Sequence, residues 1–375
     1  MDRDGTGFAL TVPGTRSGVI PVFFRRSKSL MGLDIGSSAV KAIELKAAGK
    51  GFKVTAFGVE PIPPDSIVDG AIIDSSAVTE AVRRLFDNKQ FKAREVAASL
   101  SGNSVIVKKI TLPAMTEQEL SESIYWEAEQ YIPFDIQDVH LDYEILSPAE
   151  GPGSQGTMDV LLVAAKKDKI ADYTNAISQA GRTPVVVDVD AFALQNAYEV
   201  NYGFEPGVVV ALLNAGASAT NINILNGGQS VFTRDISLGG NAFTEAVQRE
   251  LGLPYDLAEQ LKKGFDVEGA TFEEARPVLK AMTDNILLEI EKTFDFFKAT
   301  ASNDRIDRIV LSGGASRAEG FADALATRFG AEVISFDPFR QVVMDPARLA
   351  GYTAEDLAPV AAVAVGLALR KVGDR

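Results

Sequence analysis

The chain has 375 residues, more than a single hydrophobic core usually serves, so its length predicts two lobes. Acidic residues outnumber basic ones by 51 to 37, and the net charge of −14 argues against a nucleic-acid-binding protein. The absence of cysteine and the presence of a single histidine, His140, exclude disulfides, thiolate sites and zinc sites built from several histidines, and no apolar run reaches the ~18 to 20 residues of a membrane span.

Residues 1–28 are predicted to form a mostly disordered tail. They carry five Lys/Arg against two Asp but have no apolar core of the kind that a secretion signal needs. A solvated extension is the favoured interpretation, and a weak basic contact with a membrane surface is the alternative.

A short pattern then occurs twice, about half a chain apart. LDIGSSAVKAIEL at 33–45 aligns without gaps with LNAGASATNINIL at 213–225. Each copy predicts a hairpin, with an apolar strand, a tight turn of small residues and a second strand. Glycine in such a turn lets backbone N–H groups approach an anion. The two copies therefore predict a duplicated unit that holds one polyphosphate from both sides.

The first half of the chain predicts strands around the first copy and then a different unit. Strands are expected at 30–35, 39–45 and 52–59, and a helix at 76–88. Further strands follow at 96–100, 105–110, 139–146 and 158–165, with a helix at 167–180. A capping box at Thr116–Glu119 opens another helix, whose Tyr125, Trp126 and Tyr131 are assigned to the core rather than to a binding surface. GPGSQG at 151–156 matches G-x-G-x-x-G only by chance, because a strand follows it instead of a helix.

The second half repeats the order of the first. A strand at 183–189 and a helix at 191–200 lead to strands at 208–213, 219–225 and 230–236. Two helices and a long helix at 277–300 come next. A strand at 306–311 then enters SGGAS at 312–316, a glycine turn before a helix at 320–329 where an anion or a purine can approach backbone. A strand at 332–336 and a helix at 358–371 end the pattern.

These motifs resemble a known superfamily. The two hairpins, IVLSGGASRAEGF and APVAAVAVGLAL resemble the first phosphate, second phosphate, adenosine and connecting elements of the actin-like ATPases. Within that superfamily, LDIGSSAVKAIEL, IYWEAEQYIPFDIQDVHLDYEIL, DVDAFALQNAY and AEQLK resemble the PilM family of type IV pilus assembly proteins. The resemblance spans 29–369. It implies a two-lobed α/β fold with duplicated mixed sheets and an FtsA-like inserted subdomain in the first lobe.

The resemblance also implies domain boundaries. The first-lobe core is expected at 29–94 and 181–204, and the inserted subdomain at 95–180. The second-lobe core is expected at 205–240 and 301–375, with an accessory helical subdomain at 241–300.

ATP and Mg²⁺ are implied as the ligands between the lobes. Asp34 is expected to reach the metal-bound phosphate, because Mg²⁺ prefers carboxylate oxygen, and a turn-capping aspartate is the alternative. One of Asp188 and Asp190 is expected to face the metal while the other caps a helix, and Asp190 is named as the metal residue. The residues expected to bind the nucleotide are Asp34, Gly36, Ser37, Ser38, Lys41, Asn214, Gly216, Ala217, Ser218, Thr220, Glu259, Lys262, Gly313, Gly314 and Ser316.

Simpler interpretations remain open for some of these residues. Lys41 is the least certain to contact phosphate, since a strand lysine is usually only solvated. Glu259 and Lys262, expected on the ribose and purine side, also fit a salt-bridged helix face. Gly313 and Gly314 fit an ordinary turn.

Asn214 departs from the superfamily, which generally has an aspartate at this position. A neutral amide cannot act as a base, so the expectation is ATP binding with at most slow hydrolysis. A sugar-type kinase is the main alternative. It would need a carboxylate base near the second hairpin, where Asp235 is the nearest later acid. A nucleotide-dependent filament-former of the same superfamily is the other alternative.

The resemblance further implies a scaffold with membrane-anchored partners. PilM proteins are cytoplasmic and capture the N-terminal cytoplasmic segment of a PilN-like single-span inner-membrane protein. Other motor or platform proteins of the pilus are further partners, and contact with the membrane is only indirect. The groove for the segment is expected between the inserted subdomain and the sheet edge of residues 30–60.

Overall fold

The computed structural model describes residues 10–11, 30–49, 51–87, 91–147, 156–300, 305–349 and 351–374. The predicted N-terminal tail lies outside these ranges except for Leu10–Thr11, and GPGSQG lies outside them except for Gly156. The described strands are β1 (Leu10–Thr11), β2 (Met31–Ile35), β3 (Ala39–Ala48), β4 (Gly51–Pro61), β5 (Ile67–Val68), β6 (Ala71–Ile72), β7 (Glu95–Leu100), β8 (Val105–Pro113), β9 (Val139–Ser147), β10 (Thr157–Lys166), β11 (Thr183–Val189), β12 (Val209–Ala215), β13 (Thr220–Asn226), β14 (Gln229–Ile236), β15 (Arg308–Ser312), β16 (Glu332–Ser335) and β17 (Val342–Val343). The described α-helices are α1 (Ser75–Asp87), α2 (Glu117–Glu129), α3 (Lys167–Gln179), α4 (Asp190–Tyr202), α5 (Gly240–Leu251), α6 (Tyr255–Lys262), α7 (Phe272–Thr300), α8 (Phe321–Phe329) and α9 (Ala354–Ala368).

The two main sheets have the same internal order. The first runs β1-β11-β7-β2-β3-β4-β17, and the second runs β14-β13-β12-β15-β16. In both sheets three consecutive strands pair antiparallel, β2-β3-β4 in the first and β12-β13-β14 in the second, and the first of the three also pairs parallel with a later strand, β7 or β15. This topology confirms the predicted two-lobed α/β fold with duplicated mixed sheets.

Helices α4 and α9 lie between the two sheets. On the outer face of the first sheet, Met31 and Leu33 pack with α1 and α3, as strand alternation requires. On the inner faces, Val210 and Leu212 of the second sheet share one apolar cluster with Leu194 of α4 and with α9. Helices α5, α7 and α8 cover the outer face of the second sheet. Each lobe therefore has its own core, and α4 and α9 join the two.

The inserted subdomain is smaller than the resemblance implied. Strands β8, β10 and β9 form an antiparallel sheet that packs with α2 around a separate core. Strand β7, assigned to the insertion, instead pairs parallel with β2 in the first lobe. Helix α3 contributes Ile170 and Tyr173 to the first-lobe core. The structure thus places the subdomain at about 105–166 rather than 95–180. The sequence did not reveal this boundary, because a buried parallel strand has the same apolar pattern in either unit.

Two helices begin earlier than predicted, and both starts are capped by side chains. Helix α7 begins at Phe272 rather than at 277, where the Thr271 N–H and hydroxyl donate to Glu274 at 2.8 and 3.0 Å. Helix α9 begins at Ala354 rather than at 358, with a capping box between Thr353 and Asp356. Pro277 and Pro359 therefore lie inside their helices rather than at the first residue.

The core assignment of two aromatic residues was wrong. Helix α2 buries Leu120, Ile124 and Ala128. Trp126 and Tyr125 are 79% and 53% exposed on its other side. Tyr131, which follows the helix, packs partly against the subdomain core as predicted.

The partner groove, expected between the inserted subdomain and the sheet edge of residues 30–60, stays a prediction, and the structure shows what surrounds the subdomain. The chain enters the inserted subdomain directly after β7, whereas β4 is separated from β7 by β2 and β3. Strand β8 and the end of β9 instead lie beside the second lobe, where the Gln229 amide donates to the Leu146 carbonyl at 3.3 Å. The edge of the first sheet on the β4 side is formed by β17, which pairs parallel with β4.

No described helix is both long enough and apolar enough to cross a bilayer. Helix α9, the most apolar candidate in the sequence, has 15 residues and is buried between the lobes.

Candidate functional site

A cavity of about 1030 Å³ lies between the two lobes. Its first-lobe wall is formed by the β2–β3 turn and by residues 101–103, which follow β7. Its second-lobe wall is formed by the β12–β13 turn, by α5 and α6 and by the turn after β15. The carboxyl ends of β2, β7, β12 and β15 all open into this space, which is where ligands bind in α/β sheets.

The two predicted glycine turns face each other across the cavity. The Ser37 hydroxyl donates to the Ser218 hydroxyl at 2.8 Å. The Gly36 and Gly216 N–H groups close their own turns on Ala39 and Ala219 at 3.2 and 2.8 Å, so the glycines themselves do not offer donors.

Four backbone N–H groups of these turns remain available. Within the part of the chain that the structure describes, the N–H groups of Ser37, Ser38, Ala217 and Ser218 have no protein acceptor. All four residues line the cavity. Successive backbone donors of this kind, in two turns that face each other, can bind an anion between them.

Glycine is required at the turn after β15. Gly313 has a φ of 90°, and an added Cβ would lie 2.1 Å from the Ala215 carbonyl oxygen. Its N–H donates to the Pro359 carbonyl of α9 at 2.6 Å. The close approach ties this turn both to β12 and to α9, and leaves Gly313 and Gly314 on the cavity wall.

Of the two candidate metal aspartates, Asp190 faces the cavity. Its carboxylate accepts from the Ser99 hydroxyl at 2.5 Å. Burial, and then the charge of Asp34, raise the pKa of Asp190 to about 7. Asp188 is instead held by Arg370 at 3.1 Å and by the Val189 N–H at 2.7 Å. Asp190 is therefore the aspartate available to a metal ion in the cavity, whereas Asp188 is paired with Arg370.

Asp34 lies in the cavity as the partner of Lys41. The Lys41 ammonium donates to Asp34 at 3.0 Å, and both side chains are mostly buried. No cluster of three His, Cys, Asp or Glu side chains suited to a metal ion occurs in the described residues. A Mg²⁺ ion with one or two carboxylate ligands and several phosphate or water oxygens fits this donor set.

A chain of hydrogen bonds explains the amide at position 214. The Asn214 amide donates to Asn221 at 3.1 Å, and the Asn221 amide donates to Asp235 at 2.8 Å. Asp235 also accepts from the Gly102 N–H of the first lobe at 2.5 Å. Because each oxygen of Asp235 already accepts a hydrogen bond, the Asn221 NH₂ group faces Asp235, the Asn221 oxygen faces position 214, and position 214 must donate.

We expect Asn214→Asp to lower the free energy of unfolding by about 1–3 kcal/mol, because a carboxylate would face the Asn221 oxygen without a donor. Urea unfolding at neutral pH measures the change. Asn226→Asp, at the half-exposed end of β13, is the matched control and should change stability little. Equal stability of the two variants would contradict the fixed direction of the chain.

Glu259 and Lys262 form a compact network on the second-lobe wall. Lys262 pairs with Glu259 at 2.5 Å and donates to the Gly240 carbonyl at 3.2 Å. The Thr244 hydroxyl donates to Glu259 at 2.6 Å. Burial raises the pKa of Glu259, whereas the hydrogen bonds from Lys262 and Thr244 lower it. The pKa of Glu259 is lowered overall. The pair is half-buried beside the cavity, which differs from an exposed salt-bridged helix face.

The structure brings most of the predicted site residues to one cavity. Thr220 is fully buried and donates to the Leu238 carbonyl at 2.8 Å, and Ser316 donates to the Gly313 carbonyl at 2.6 Å, so neither side chain lines the wall. The predicted residues that line it are Asp34, Gly36, Ser37, Ser38, Lys41, Asp190, Asn214, Gly216, Ala217, Ser218, Glu259, Lys262, Gly313 and Gly314.

Further cavity residues were not selected from the sequence. They include Ser101, Gly102 and Asn103 after β7, Asn221 of β13, Tyr255 of α6 and Arg317. The position of β7 beside β2 would have indicated the first three, because the carboxyl ends of parallel strands share one edge. Because β7 was assigned to the insertion, its carboxyl end was not expected beside that of β2.

Comparisons with known proteins agree with this architecture. The family model described as type IV pilus assembly protein PilM matches residues 32–372. A solved PilM-PilN type IV pilus biogenesis complex contains a chain that is 30% identical, with a TM-score of 0.81, covering 92% of this chain and 98% of that chain.

Two more distant relatives share parts of the sequence or the fold. The cell division protein FtsA of Bacillus subtilis is 22% identical over 252 residues, which cover 62% of this chain and 56% of FtsA. The chain thus spans little more than half the length of that relative. MreB5 of Spiroplasma citri, in a crystal structure bound to AMPPNP, is 14% identical with a TM-score of 0.51, and the match covers 91% of this chain and 95% of MreB5.

Proposed function

Because the chain belongs to the PilM family of type IV pilus assembly proteins, we propose that it is a nucleotide-binding scaffold of pilus assembly. In this proposal Mg²⁺-ATP binds between the lobes, and the protein docks the N-terminal cytoplasmic segment of a PilN-like inner-membrane protein. The chain is then cytoplasmic and peripheral to the inner membrane through that partner.

The observation that carries the nucleotide proposal is the pair of facing turns. Ser37 and Ser218 touch at a cavity of about 1030 Å³, and residues with unpaired backbone N–H groups in both turns line it. This volume exceeds the ~300 Å³ at the lower end of ligand pockets. The crystal structure of MreB5, which shares the fold, holds AMPPNP, in line with a nucleotide rather than a small anion.

The carboxylates of the cavity fit a divalent cation. Asp34 and Asp190 lie close enough that the charge of one raises the pKa of the other. In the proposal both orient the hydrated Mg²⁺, while the Lys41 ammonium donates to Asp34 and the Ser99 hydroxyl donates to Asp190. When bound, Mg²⁺ offsets the negative charge of the phosphates.

The proposal includes slow hydrolysis at most. Asn214 donates its amide within a fixed chain and cannot accept a proton from water. Asp235, the acid required by the sugar-kinase alternative, already accepts a hydrogen bond at each of its two oxygens. Neither residue is therefore a free general base, and binding rather than turnover is the favoured role.

Titration of ATP with and without Mg²⁺ tests the nucleotide site. We expect Asp34→Asn and Asp190→Asn each to weaken ATP binding about tenfold when Mg²⁺ is present. Each change removes a carboxylate oxygen that orients the ion. Affinity in EDTA should not fall. Isothermal titration calorimetry measures both, and Asp295→Asn on the exposed side of α7 is the control. If ATP does not bind the wild-type chain, the nucleotide proposal fails.

Turnover and docking are tested in the same preparation. The cytoplasmic segment of the PilN-like protein should bind the chain, and ATP should change its affinity by shifting the balance between lobe arrangements. ATP hydrolysis should stay below one turnover per minute, on the order of intrinsic rates without a catalytic base. Rapid multiple turnover would contradict the scaffold function, whereas absence of segment binding would contradict the docking function.

A further inference from the structure

Helix α2 of the inserted subdomain carries two exposed aromatic side chains on the side away from its core. Trp126 is 79% exposed and Tyr125 is 53% exposed. The opposite side of the helix is anchored by Leu120, Ile124 and Ala128. Tryptophan and tyrosine are enriched at protein interfaces because they combine a large apolar area with a polar tip. Neither ring is needed for the core that holds the helix in place.

Two glutamates flank both rings. Glu122 precedes Tyr125 and Trp126 by three and four residues, and Glu129 follows them by four and three. Residues at these spacings are neighbours on a helix surface, so Glu122, Tyr125, Trp126 and Glu129 form one aromatic-acidic face.

The charge of this face is not balanced within the described part of the chain. Glu122 accepts only a long hydrogen bond of 3.4 Å from Gln118 there. The ion pairs of the described residues include neither Glu122 nor Glu129. Two unpaired carboxylates beside two exposed rings complement a segment that carries both cationic and aliphatic groups.

We propose that the aromatic-acidic face binds the Lys/Arg-rich stretch next to the membrane span of the PilN-like partner. The cytoplasmic flank of a membrane span carries an excess of Lys and Arg, so a single-span partner brings this chemistry to the scaffold. The long stems of Lys and Arg pack on the rings while their charged ends meet Glu122 and Glu129. The inference rests on the proposed docking function and adds the surface and the part of the partner that it holds.

A direct contact with lipid is the less favoured occupant. The chain has a net charge of −14, and the face itself is acidic, so anionic headgroups of the cytoplasmic leaflet repel it. The Lys and Arg side chains of the partner's basic flank attract the acidic face instead. The charge of the face therefore favours protein over membrane.

Trp126 is the single tryptophan of the chain, so intrinsic tryptophan emission reports this face alone. The probe is the complete cytoplasmic segment of the PilN-like protein, in a form without tryptophan. It is titrated into the full chain. We expect the emission of Trp126 to shift to shorter wavelength on binding, because the ring leaves water. A version of the segment with Gln in place of the juxtamembrane Lys and Arg should bind more weakly and give a smaller shift.

Charge reversal supplies the second measurement. Glu122→Lys with Glu129→Lys should weaken binding by about tenfold or more, because like charges then face each other. The matched control is Asp284→Lys with Asp295→Lys, which makes the same change of net charge on the exposed side of α7 and should alter affinity less than about twofold. Far-ultraviolet circular dichroism and thermal unfolding establish that both double variants are folded.

The outcomes separate this inference from the function on which it rests. If the segment binds but Trp126 emission does not change, or if both double variants weaken binding equally, the face is not the docking surface and the docking function stands. If the segment does not bind the wild-type chain at all, the docking function and this inference both fail. A shift with phosphatidylglycerol vesicles alone would overturn the inference in favour of membrane contact.

Discussion

Replacing Arg370 with methionine is expected to lower the free energy of unfolding by about 3–5 kcal/mol, the usual effect of removing one partner from a buried ion pair. Arg370 pairs with Asp188 at 3.1 Å, and their side chains are 4% and 0% exposed. Burial raises the pKa of Asp188 to about 6, although the charge of Arg370 and the hydrogen bond from Val189 lower it. Without the guanidinium this carboxyl group would be left in an apolar layer, so it would be protonated or the end of α9 would detach.

Chemical denaturation at neutral pH measures this effect, and two variants control for it. Lys292→Met breaks an exposed pair with Glu289 and should change stability by less than about 1 kcal/mol. Arg370→Met combined with Asp188→Leu should recover most of the loss, because no charge then stays buried. If Arg370→Met is no more destabilising than Lys292→Met, the buried pair does not hold α9 against β11.

The second large effect is expected at Gly366, where α9 crosses α4. A Cβ added at Gly366 would lie 1.7 Å from the Ala193 carbonyl oxygen. Backbone cannot give way as a flexible side chain does, so the helices must separate. Gly366→Ala should therefore lower the free energy of unfolding by about 2–3 kcal/mol, at the upper part of the range for overpacking. Gly366→Leu should leave little folded protein.

Thermal and urea unfolding of the alanine variant provide the measurement. Gly314→Ala is the control because its added methyl group would meet only Val360 at 3.8 Å, an ordinary contact. The two substitutions add the same methyl group, so their difference isolates the space at the helix crossing. A Gly366→Ala protein as stable as the Gly314→Ala protein would show that the two helices do not approach this closely.

Local signals predicted much of the fold. The hairpins at residues 33–45 and 213–225 depend on glycine turns that close within four residues, and both form. The capping box of Thr116 and Glu119 also forms, with reciprocal hydrogen bonds at 2.8 and 3.2 Å. These contacts join residues that are near in sequence, so the residue types alone are informative.

Contacts between distant residues could not be predicted in the same way. The hydrogen bond from Gly102 to Asp235 joins residues 133 positions apart, and nothing local at either residue indicates its partner. The boundary of the inserted subdomain was missed because β7 has the same apolar pattern in either unit. Trp126 was assigned to the core from the general behaviour of aromatic residues, although its helix position lies away from Ile124.

The approach of Gly366 to Ala193 has a mechanical consequence for the molecule. At Gly366 no side chain separates the backbones of α9 and α4. Side-chain ridges farther along the same helices would resist sliding. A rotation of the lobes about this crossing would change the mouth of the cleft more than its floor, because Asp190 and Val363, each three residues from the crossing, line the cavity.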